Sequence, residues 1–317
     1  MLAVHLENGR VSVKHQRLPR RKPGFALIRL LAGGICNTDL ELQRGYYGFH
    51  GTPGHEFVGE VVEADSSHWV GRRVVGEINL ACGRCDWCAR RLGRHCPRRT
   101  VLGIVKHPGA FAEYLTLPEA NVRAVPDRLS VEEAVFTEPL AAACEIRDQV
   151  RIPPGDQVAV LGDGKLGLLV AQVLSVHGAR VRVYGRHKER AAIVEHAGVE
   201  LVVSPRRLPA AAYRWVVDAT GSPEGLKQAV SMAAPRGTVV MKSTVHGLVG
   251  IETAPVIVNE ITLVGSRCGR FEPALRLLSS GRVRVEPMLT GSYPLSEVTS
   301  AFARAAGRGV LKVLLRP

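Results

Sequence analysis

The chain has 317 residues, of which 46% are hydrophobic and 22% are charged, a balance typical of a globular protein large enough for two domains. No apolar run approaches the roughly 20 residues that cross a bilayer, so we expect no membrane partner. The first ten residues include His5 and Glu7 and lack the basic and apolar regions of a secretory signal. We therefore expect a soluble, cytoplasmic protein.

The formal net charge of +13 raises the question of nucleic-acid binding. The basic residues are spread along the whole chain, with only short clusters at 17–22, 90–99 and 206–207. Aromatic residues make up 5% of the chain, which is few for base stacking. A basic solvated surface, which would also attract a phosphorylated cofactor, is the simpler interpretation. We expect no nucleic-acid partner, and a zinc-finger-like nucleic-acid-binding protein is the alternative from another functional class.

Up to about residue 135 the sequence consists of short β-rich segments separated by Gly and Pro, which indicates a β-rich or barrel-like domain. The predicted strands there are 11–13, 25–30, 57–62, 73–75 and 112–117. From residue 156 onward, short β-branched runs alternate with helical stretches, the pattern of a doubly wound parallel sheet. Those runs are 158–161, 181–184, 201–203, 215–217, 238–241 and 262–264, and the predicted helices are 166–174, 188–196 and 225–233.

These changes of pattern predict an α/β chain with two domains. The β-rich domain covers residues 1–143 and is completed by 282–317, because the tail is too short to form a domain of its own. The second domain, at 144–281, is a Rossmann-type dinucleotide-binding domain with a doubly wound sheet.

A glycine-rich segment at 162–167 reads Gly-Asp-Gly-Lys-Leu-Gly, follows a predicted strand and opens a predicted helix. The dinucleotide fingerprint G-x-G-x-x-G requires this context, because backbone N–H groups and the positive end of the helix then receive a pyrophosphate. Asp163 adds an unfavourable charge next to the phosphates, which Lys165 is placed to offset. A βα turn without a ligand is the alternative. The predicted cofactor-binding residues of this segment are Gly162, Gly164, Lys165, Leu166 and Gly167.

The end of the second predicted strand indicates which dinucleotide binds. NAD sites usually carry Asp or Glu there to accept hydrogen bonds from the ribose, whereas this chain has Gly185 followed by Arg186, His187 and Lys188. A small residue leaves room for a 2′-phosphate, and Arg186 can grip that group with its planar guanidinium. We therefore favour NADP(H). The alternative is NAD(H) bound without an acidic contact, with Arg186 solvated.

Four of the seven cysteines lie within fifteen residues, at Cys82, Cys85, Cys88 and Cys96. Four thiolates at this spacing can enclose one tetrahedral zinc ion and leave no open position for a substrate, which indicates a structural site. An iron–sulfur cluster is the alternative, although the last gap in those motifs is three residues and here it is seven.

Two further segments, Gly-Ile-Cys-Asn-Thr-Asp at 34–39 and Gly-His-Glu at 54–56, mean little separately. Together with the four cysteines, the segment at 109–114 and the dinucleotide motif, they resemble the zinc-containing medium-chain dehydrogenases, the group of alcohol, sorbitol and glucose dehydrogenases. The resemblance covers essentially the entire chain in the same order. It implies that the β-rich domain is a GroES-like catalytic domain.

The resemblance implies a catalytic zinc and its ligands. Cys36 and His55 match two of those ligands, and Glu56 matches an acid that either ligates the zinc or lies beside it. Glu138 begins a Glu-Pro-Leu segment similar to that of the sorbitol and glucose dehydrogenases, in which a carboxylate approaches the zinc directly or through water. Cys144, six residues later, is the rival ligand.

The resemblance also implies roles beyond the zinc ligands. Thr38 matches the hydroxyl that takes the proton of the substrate alcohol, and Asp39 matches the residue that orients the ligand histidine. Thr220 lies in a strand-end segment similar to one near the cofactor ribose. Glu41 stands where alcohol dehydrogenases have a histidine that continues the proton relay, so the exit path of the proton stays unassigned.

The function implied is a zinc-dependent oxidoreductase that transfers a hydride between an alcohol, polyol or sugar carbinol and NADP(H), with one catalytic and one structural zinc. Glu138 favours a polyhydroxy substrate. The alternatives are an NAD-linked alcohol dehydrogenase or aldehyde reductase and, less well matched, a zinc-free quinone reductase relative. Residues 259–265 resemble the edge strand through which family members often dimerise, so we expect a homodimer or homotetramer.

Overall fold

The structure is a computed structural model that describes residues 1–244 and 249–317. It divides into two units, one formed by Met1–Glu138 together with Met288–Pro317 and the other by Pro139–Pro287. The domain boundaries predicted at 143 and 282 lie within a few residues of this division and remain predictions. No helix in the described ranges is both long and apolar enough to cross a membrane.

The first unit is built mainly from antiparallel strands. Strand β3 is central, since it pairs with both β4 and β9. Alternate residues along β3 are buried, from Ala26 through Ile28 and Leu30 to Ala32, so one face of the strand lies in the core. The elements are, in chain order, β1 Leu2–Glu7, β2 Arg10–His15, β3 Phe25–Gly34, α1 Asn37–Gln43, β4 Glu56–Glu63, β5 Arg73–Gly76, β6 Asn79–Leu80, α2 Asp86–Ala89, β7 Thr100–Leu102, β8 Lys106–His107, β9 Tyr114–Pro118, β10 Val122–Ala124 and α3 Val131–Val135.

The second unit contains a parallel sheet with the strand order β13-β12-β11-β14-β15-β16 among the described residues. This is the order of a doubly wound dinucleotide-binding fold. The chain supplies these elements as α4 Thr137–Gln149, β11 Gln157–Leu161, α5 Lys165–Val176, β12 Arg180–Gly185, α6 Ala191–Val194, β13 Glu200–Val203, β14 Tyr213–Asp218, α7 Pro223–Met232, β15 Ala233–Met241, α8 Thr253–Val258, β16 Thr262–Gly265 and α9 Phe271–Ser279.

The tail returns to the first unit, with β17 Leu289–Pro294, α10 Val298–Ala305 and β18 Lys312–Arg316. Strand β18 pairs with β17 on one side and antiparallel with β3 on the other, so the tail completes the sheet that begins the chain. Single turns of 3-10 helix occur at Tyr46–Gly48, Ser67–Trp69, Gly93–His95, Glu119–Asn121, Lys188–Arg190, Glu195–Ala197, Glu286–Met288 and Leu295–Glu297.

The predicted fold class is confirmed, and one predicted helical stretch is less regular than expected. Residues 188–196 were expected to form one helix, but they form a 3-10 turn, the single α-helical turn α6 and a second 3-10 turn. Arg190 within this segment is buried, because its guanidinium donates to the backbone carbonyl of Asp163 in the glycine turn. This long-range hydrogen bond is not visible in the local pattern from which the helix was predicted.

Two aromatic rings support the core of the first unit. Phe111 and Phe302 meet edge to face, with ring centroids 6.3 Å apart. Phe111 also fills the space beside Gly54, where an added Cβ would lie 2.5 Å from the ring. The turn that precedes His55 therefore rests directly on a buried aromatic ring.

We predict that Phe302→Ala lowers the free energy of unfolding by about 3–5 kcal/mol, because removing a buried ring leaves a cavity. Urea-induced unfolding followed by circular dichroism measures this change. Val70 is 49% exposed and gives the matched control, since Val70→Ala should change the free energy by less than about 0.5 kcal/mol. Equal losses for the two variants would contradict the packing argument.

Candidate active site and metal centres

Two strands of the first unit bring the predicted ligands of the catalytic metal together. Cys36 follows the end of β3 and caps helix α1, while His55 directly precedes β4 and Glu56 begins it. Because β3 and β4 are antiparallel with Gly34 opposite Glu56, the end of one strand lies beside the start of the other. One ligand atom from each of Cys36, His55 and Glu56 lies within 4.8 Å of the others.

Asp39 connects the two ligand-bearing segments. Its side chain is fully buried and accepts a hydrogen bond from the backbone N–H of Cys36 at 2.8 Å and from that of Gly54 at 3.2 Å. The ring nitrogen Nδ1 of His55 lies 3.5 Å from the same carboxylate. Asp39 was predicted to orient His55, and this role remains a prediction; in the structure its carboxylate holds the backbone N–H groups of Cys36 and Gly54.

The chemistry of this cluster fits a cation. His55 and Glu56 are buried, and Glu56 Oε1 has no hydrogen-bond partner among the described residues. Burial opposes protonation of His55, but the charges of Asp39 and Cys36 outweigh it and raise the pKa of His55 well above its usual range. A thiol, an imidazole and an unsatisfied carboxylate oxygen are the donors that zinc takes in proteins.

Lys312 is a member of this site that sequence reasoning missed. It begins β18, is fully buried and donates from Nζ to Glu56 Oε2. Burial lowers the pKa of Lys312, but the charges of Glu56 and Cys36 outweigh it, and the pKa is raised. The available signal was a lone lysine inside the apolar run 310–315, because lysine is almost never fully buried without a partner.

The remaining predicted residues lie around the cluster at different distances. Thr38 is half-buried, and its hydroxyl lies 3.8 Å from Cys36 Sγ. Glu138 is half-buried near the start of α4 and does not belong to the close ligand group found among the described residues, although its charge contributes to the raised pKa of Lys312. Burial raises the pKa of Cys144 to about 12, so this rival ligand favours the protonated thiol.

The four clustered cysteines form a second candidate metal centre. Their sulfurs lie within 4.8 Å of one another, with Cys85 at 3.5 Å from Cys88 and 3.6 Å from Cys96. Tetrahedral zinc with Zn–S bonds of about 2.3 Å separates its sulfurs by about 3.8 Å. The backbone N–H of Arg84 lowers the pKa of Cys82 to about 6, whereas burial raises the pKa of Cys88 to about 11.

The predicted glycine turn connects β11 to α5 in the second unit. Gly162 has φ +100°, and an added Cβ would lie 2.6 Å from the carbonyl oxygen of Ala219, while a Cβ on Gly167 would lie 1.9 Å from that of Gly162. At Gly164, which caps the helix, a Cβ would meet nothing within 4 Å. The turn is therefore tightly packed on one side and open at the helix end, as a pyrophosphate site requires.

The residues predicted to contact the adenosine side lie at the end of β12. Gly185 ends the strand, Arg186 and Lys188 are exposed, and His187 is half-buried. Asp163 was expected to lie next to the phosphates. Its carboxylate instead accepts hydrogen bonds from the backbone N–H groups of Arg186 and His187.

Thr220 lies in the turn after β14, against which Gly162 packs. Its hydroxyl donates to Asp218 at 2.8 Å and accepts from the backbone N–H of Ser222 at 3.1 Å. These hydrogen bonds hold the turn in place, so Thr220 stabilises the turn at the end of β14.

Comparisons with known proteins identify dehydrogenase families and relatives that match this chain. The chain matches the family described as "Alcohol dehydrogenase GroES-like domain" over residues 22–127 and the family described as "Zinc-binding dehydrogenase" over residues 166–280. It is 28% identical to D-arabitol-phosphate dehydrogenase of Enterococcus avium, with 94% of this chain and 91% of the relative covered. It is 32% identical to L-threonine 3-dehydrogenase of Streptomyces avermitilis, with 92% of each covered.

A solved structure of a zinc-binding dehydrogenase from Sinorhizobium meliloti, bound to NADP, is similar along the whole chain. The TM-score is 0.89 at 30% sequence identity, and the similarity covers 100% of this chain and 99% of the other. Both units of the present structure therefore have counterparts in one known protein.

We predict that Asp39→Ala weakens zinc binding by about 10–100-fold, because the Cys36 and Gly54 backbones lose their shared acceptor. Competition with a chelator of known affinity measures the change. Glu41→Gln is the matched control on the same helix, since the Glu41 side chain is 35% exposed and pairs with Arg44 at the surface. This control should stay within about twofold of the wild type. A similar loss in both variants would mean that Asp39 acts only on the stability of the helix.

Proposed function

The chain belongs to the zinc-containing medium-chain dehydrogenase/reductase superfamily, and we propose that it transfers a hydride between the carbinol carbon of a small polyol or sugar and NADP(H). The buried cluster of Cys36, His55 and Glu56, with its unsatisfied carboxylate oxygen, carries this proposal. Such a cluster suits a reaction at a substrate oxygen, because three protein donors leave a position open.

We propose that Cys36, His55 and Glu56 hold a catalytic zinc, with Glu138 as the further carboxylate that the family resemblance implies. Bound there, zinc supplies a Lewis acid and the nicotinamide supplies the hydride acceptor or donor. Thr38 Oγ1, close to Cys36 Sγ, is placed to receive the proton of the substrate hydroxyl. Asp39 holds the backbone of both ligand segments so that these groups keep their positions.

Lys312 supports this chemistry through its contact with Glu56. Because Glu56 Oε2 pairs with Lys312, the other carboxylate oxygen, Oε1, is the one available to bind a cation. A buried carboxylate with neither lysine nor metal beside it would be costly, since removing one member of a buried ion pair costs about 3–5 kcal/mol. Lys312 therefore gives Glu56 a charged partner whether or not its second oxygen ligates.

We further propose that Cys82, Cys85, Cys88 and Cys96 hold a structural zinc. Four sulfurs around one ion fill its coordination shell and leave no place for a substrate. The seven cysteines are not joined in disulfides, which suits a reducing compartment and supports a cytoplasmic location.

The NADP preference is supported by the charge at the end of β12. Gly185 offers no carboxylate to the ribose, and the exposed guanidinium of Arg186 and ammonium of Lys188 can attract a 2′-phosphate. The similar S. meliloti dehydrogenase was solved with NADP bound. The polyol preference is supported by the D-arabitol-phosphate dehydrogenase relative and by Glu138-Pro139-Leu140.

We also propose that two copies associate through β16, at the edge of the parallel sheet. An edge strand presents unpaired backbone groups that a second copy can extend. Ile257 and Val258, just before this strand, are 72% and 78% exposed and would be covered in such a dimer.

The proposed reaction predicts activity in a screen of NADP and NAD against alcohols, polyols and aldoses. We expect NADP reduction with a polyol or sugar and loss of that activity when a strong chelator removes the zinc. Reduction of NAD alone would contradict the cofactor assignment. Turnover that survives complete zinc removal would contradict the reaction itself.

Metal analysis of purified protein should find about two zinc ions per chain. Cys36→Ser should remove one of them and the activity and lower the thermal midpoint only modestly, because Lys312 still pairs with Glu56 when the ion is lost. Cys96→Ser should remove the other ion and lower the midpoint, because the loop around it loses its cross-link. An unchanged zinc content in either variant would rule out the corresponding site.

A further inference from the structure

Asp163, the second residue of the glycine turn, is a buried charge with several partners. It is 5% exposed, and its Oδ2 accepts from the backbone N–H of Arg186 at 2.9 Å and from that of His187 at 2.8 Å. The His187 ring and the buried guanidinium of Arg190 lie at 3.0 Å and 3.4 Å from the carboxylate. Burial raises the pKa of Asp163, but these hydrogen bonds and the charge of Arg190 outweigh it, so the pKa is lowered and the group stays ionised at neutral pH.

Gly185 lies directly against the side chain of Asp163. A Cβ added to Gly185 would lie 2.5 Å from the Asp163 carboxylate, closer than real Cβ contacts allow. The missing side chain at the end of β12 therefore leaves room for Asp163 within the chain, in addition to any room it leaves for a ligand. An acid at residue 185, as in NAD sites, could not coexist with Asp163 in this position.

The carboxylate of Asp163 is unavailable to a ligand in this arrangement. Both of its oxygens are engaged, and Arg190 offsets its charge, while the side chains of Arg186 and Lys188 remain exposed. Asp163, which is itself buried, thus fixes the backbone at Arg186.

We propose that Asp163 is a positioning residue for cofactor selectivity, which holds the turn at 185–187 so that Arg186 can engage the adenosine 2′-phosphate. This inference rests on the NADP preference proposed above. It differs from the sequence expectation, in which Asp163 was an unfavourable charge beside the pyrophosphate.

The test compares the dissociation constants of NADPH and NADH, measured by fluorescence titration of the zinc-loaded enzyme. Asp163→Ala should weaken NADPH by about tenfold and leave NADH within about twofold, because only the 2′-phosphate contact depends on the turn. Asp163→Asn should stay within about threefold of the wild type for both, because its amide oxygen can still accept from the two backbone N–H groups.

Gly185→Ala provides an independent perturbation that leaves the Asp163 carboxylate in the chain but displaces it. This variant should weaken NADPH selectively, as Asp163→Ala does. In the Asp163→Ala background the added methyl group meets no carboxylate, so Gly185→Ala should then have little further effect. Additive losses in the double variant would overturn the proposed coupling between the two residues.

Arg186→Ala separates this inference from the NADP assignment. If Arg186→Ala leaves the affinity for NADPH unchanged, the NADP assignment itself fails. If Arg186→Ala weakens NADPH and Asp163→Ala does not, only the positioning role fails. Tighter NADPH binding in Asp163→Ala would also overturn that role, because the carboxylate would then compete with the phosphate for the two N–H groups. Equal weakening of NADPH and NADH would also overturn the selective role, because the variant would then disturb the glycine turn that both cofactors share.

Discussion

The buried carboxylate of Asp39 is the interaction on which the candidate catalytic centre depends. It joins the backbone at Cys36 to the backbone at Gly54, two segments that the antiparallel pairing of β3 and β4 brings close but does not lock. A buried carboxylate is costly unless it is hydrogen-bonded. Movement of either segment is therefore opposed, because its backbone N–H would lose its hydrogen bond to Asp39. Asp163 repeats this arrangement in the second unit, where one carboxylate fixes two successive backbone N–H groups.

The features that sequence reasoning predicted well depend on spacing within a short segment. The cysteines at 82, 85, 88 and 96 were identifiable as a metal site because one loop carries all four sulfurs. The glycine turn was identifiable because it stands between a strand and a helix, and Gly162 and Gly167 have local steric reasons, such as the close approach of Gly167 to the Gly162 carbonyl. Cys36 and His55 lie further apart, and there the family resemblance supplied the association that local pattern could not.

The features that were missed depend on pairs distant in the chain. Lys312 lies 256 residues from Glu56, and no local pattern links them. The hydrogen bond from Arg190 to the Asp163 carbonyl likewise joins residues that no local pattern links. In both cases a buried charged side chain contacts a residue that the fold brings near it, and the fold was predicted only at the level of its class.

The most direct test of the account is a crystal of the purified enzyme with diffraction data collected on both sides of the zinc absorption edge. We expect an anomalous peak about 2.3 Å from Cys36 Sγ and about 2.1 Å from a ring nitrogen of His55. A peak among the four clustered cysteines with none between Cys36, His55 and Glu56, in crystals of active enzyme, would contradict it.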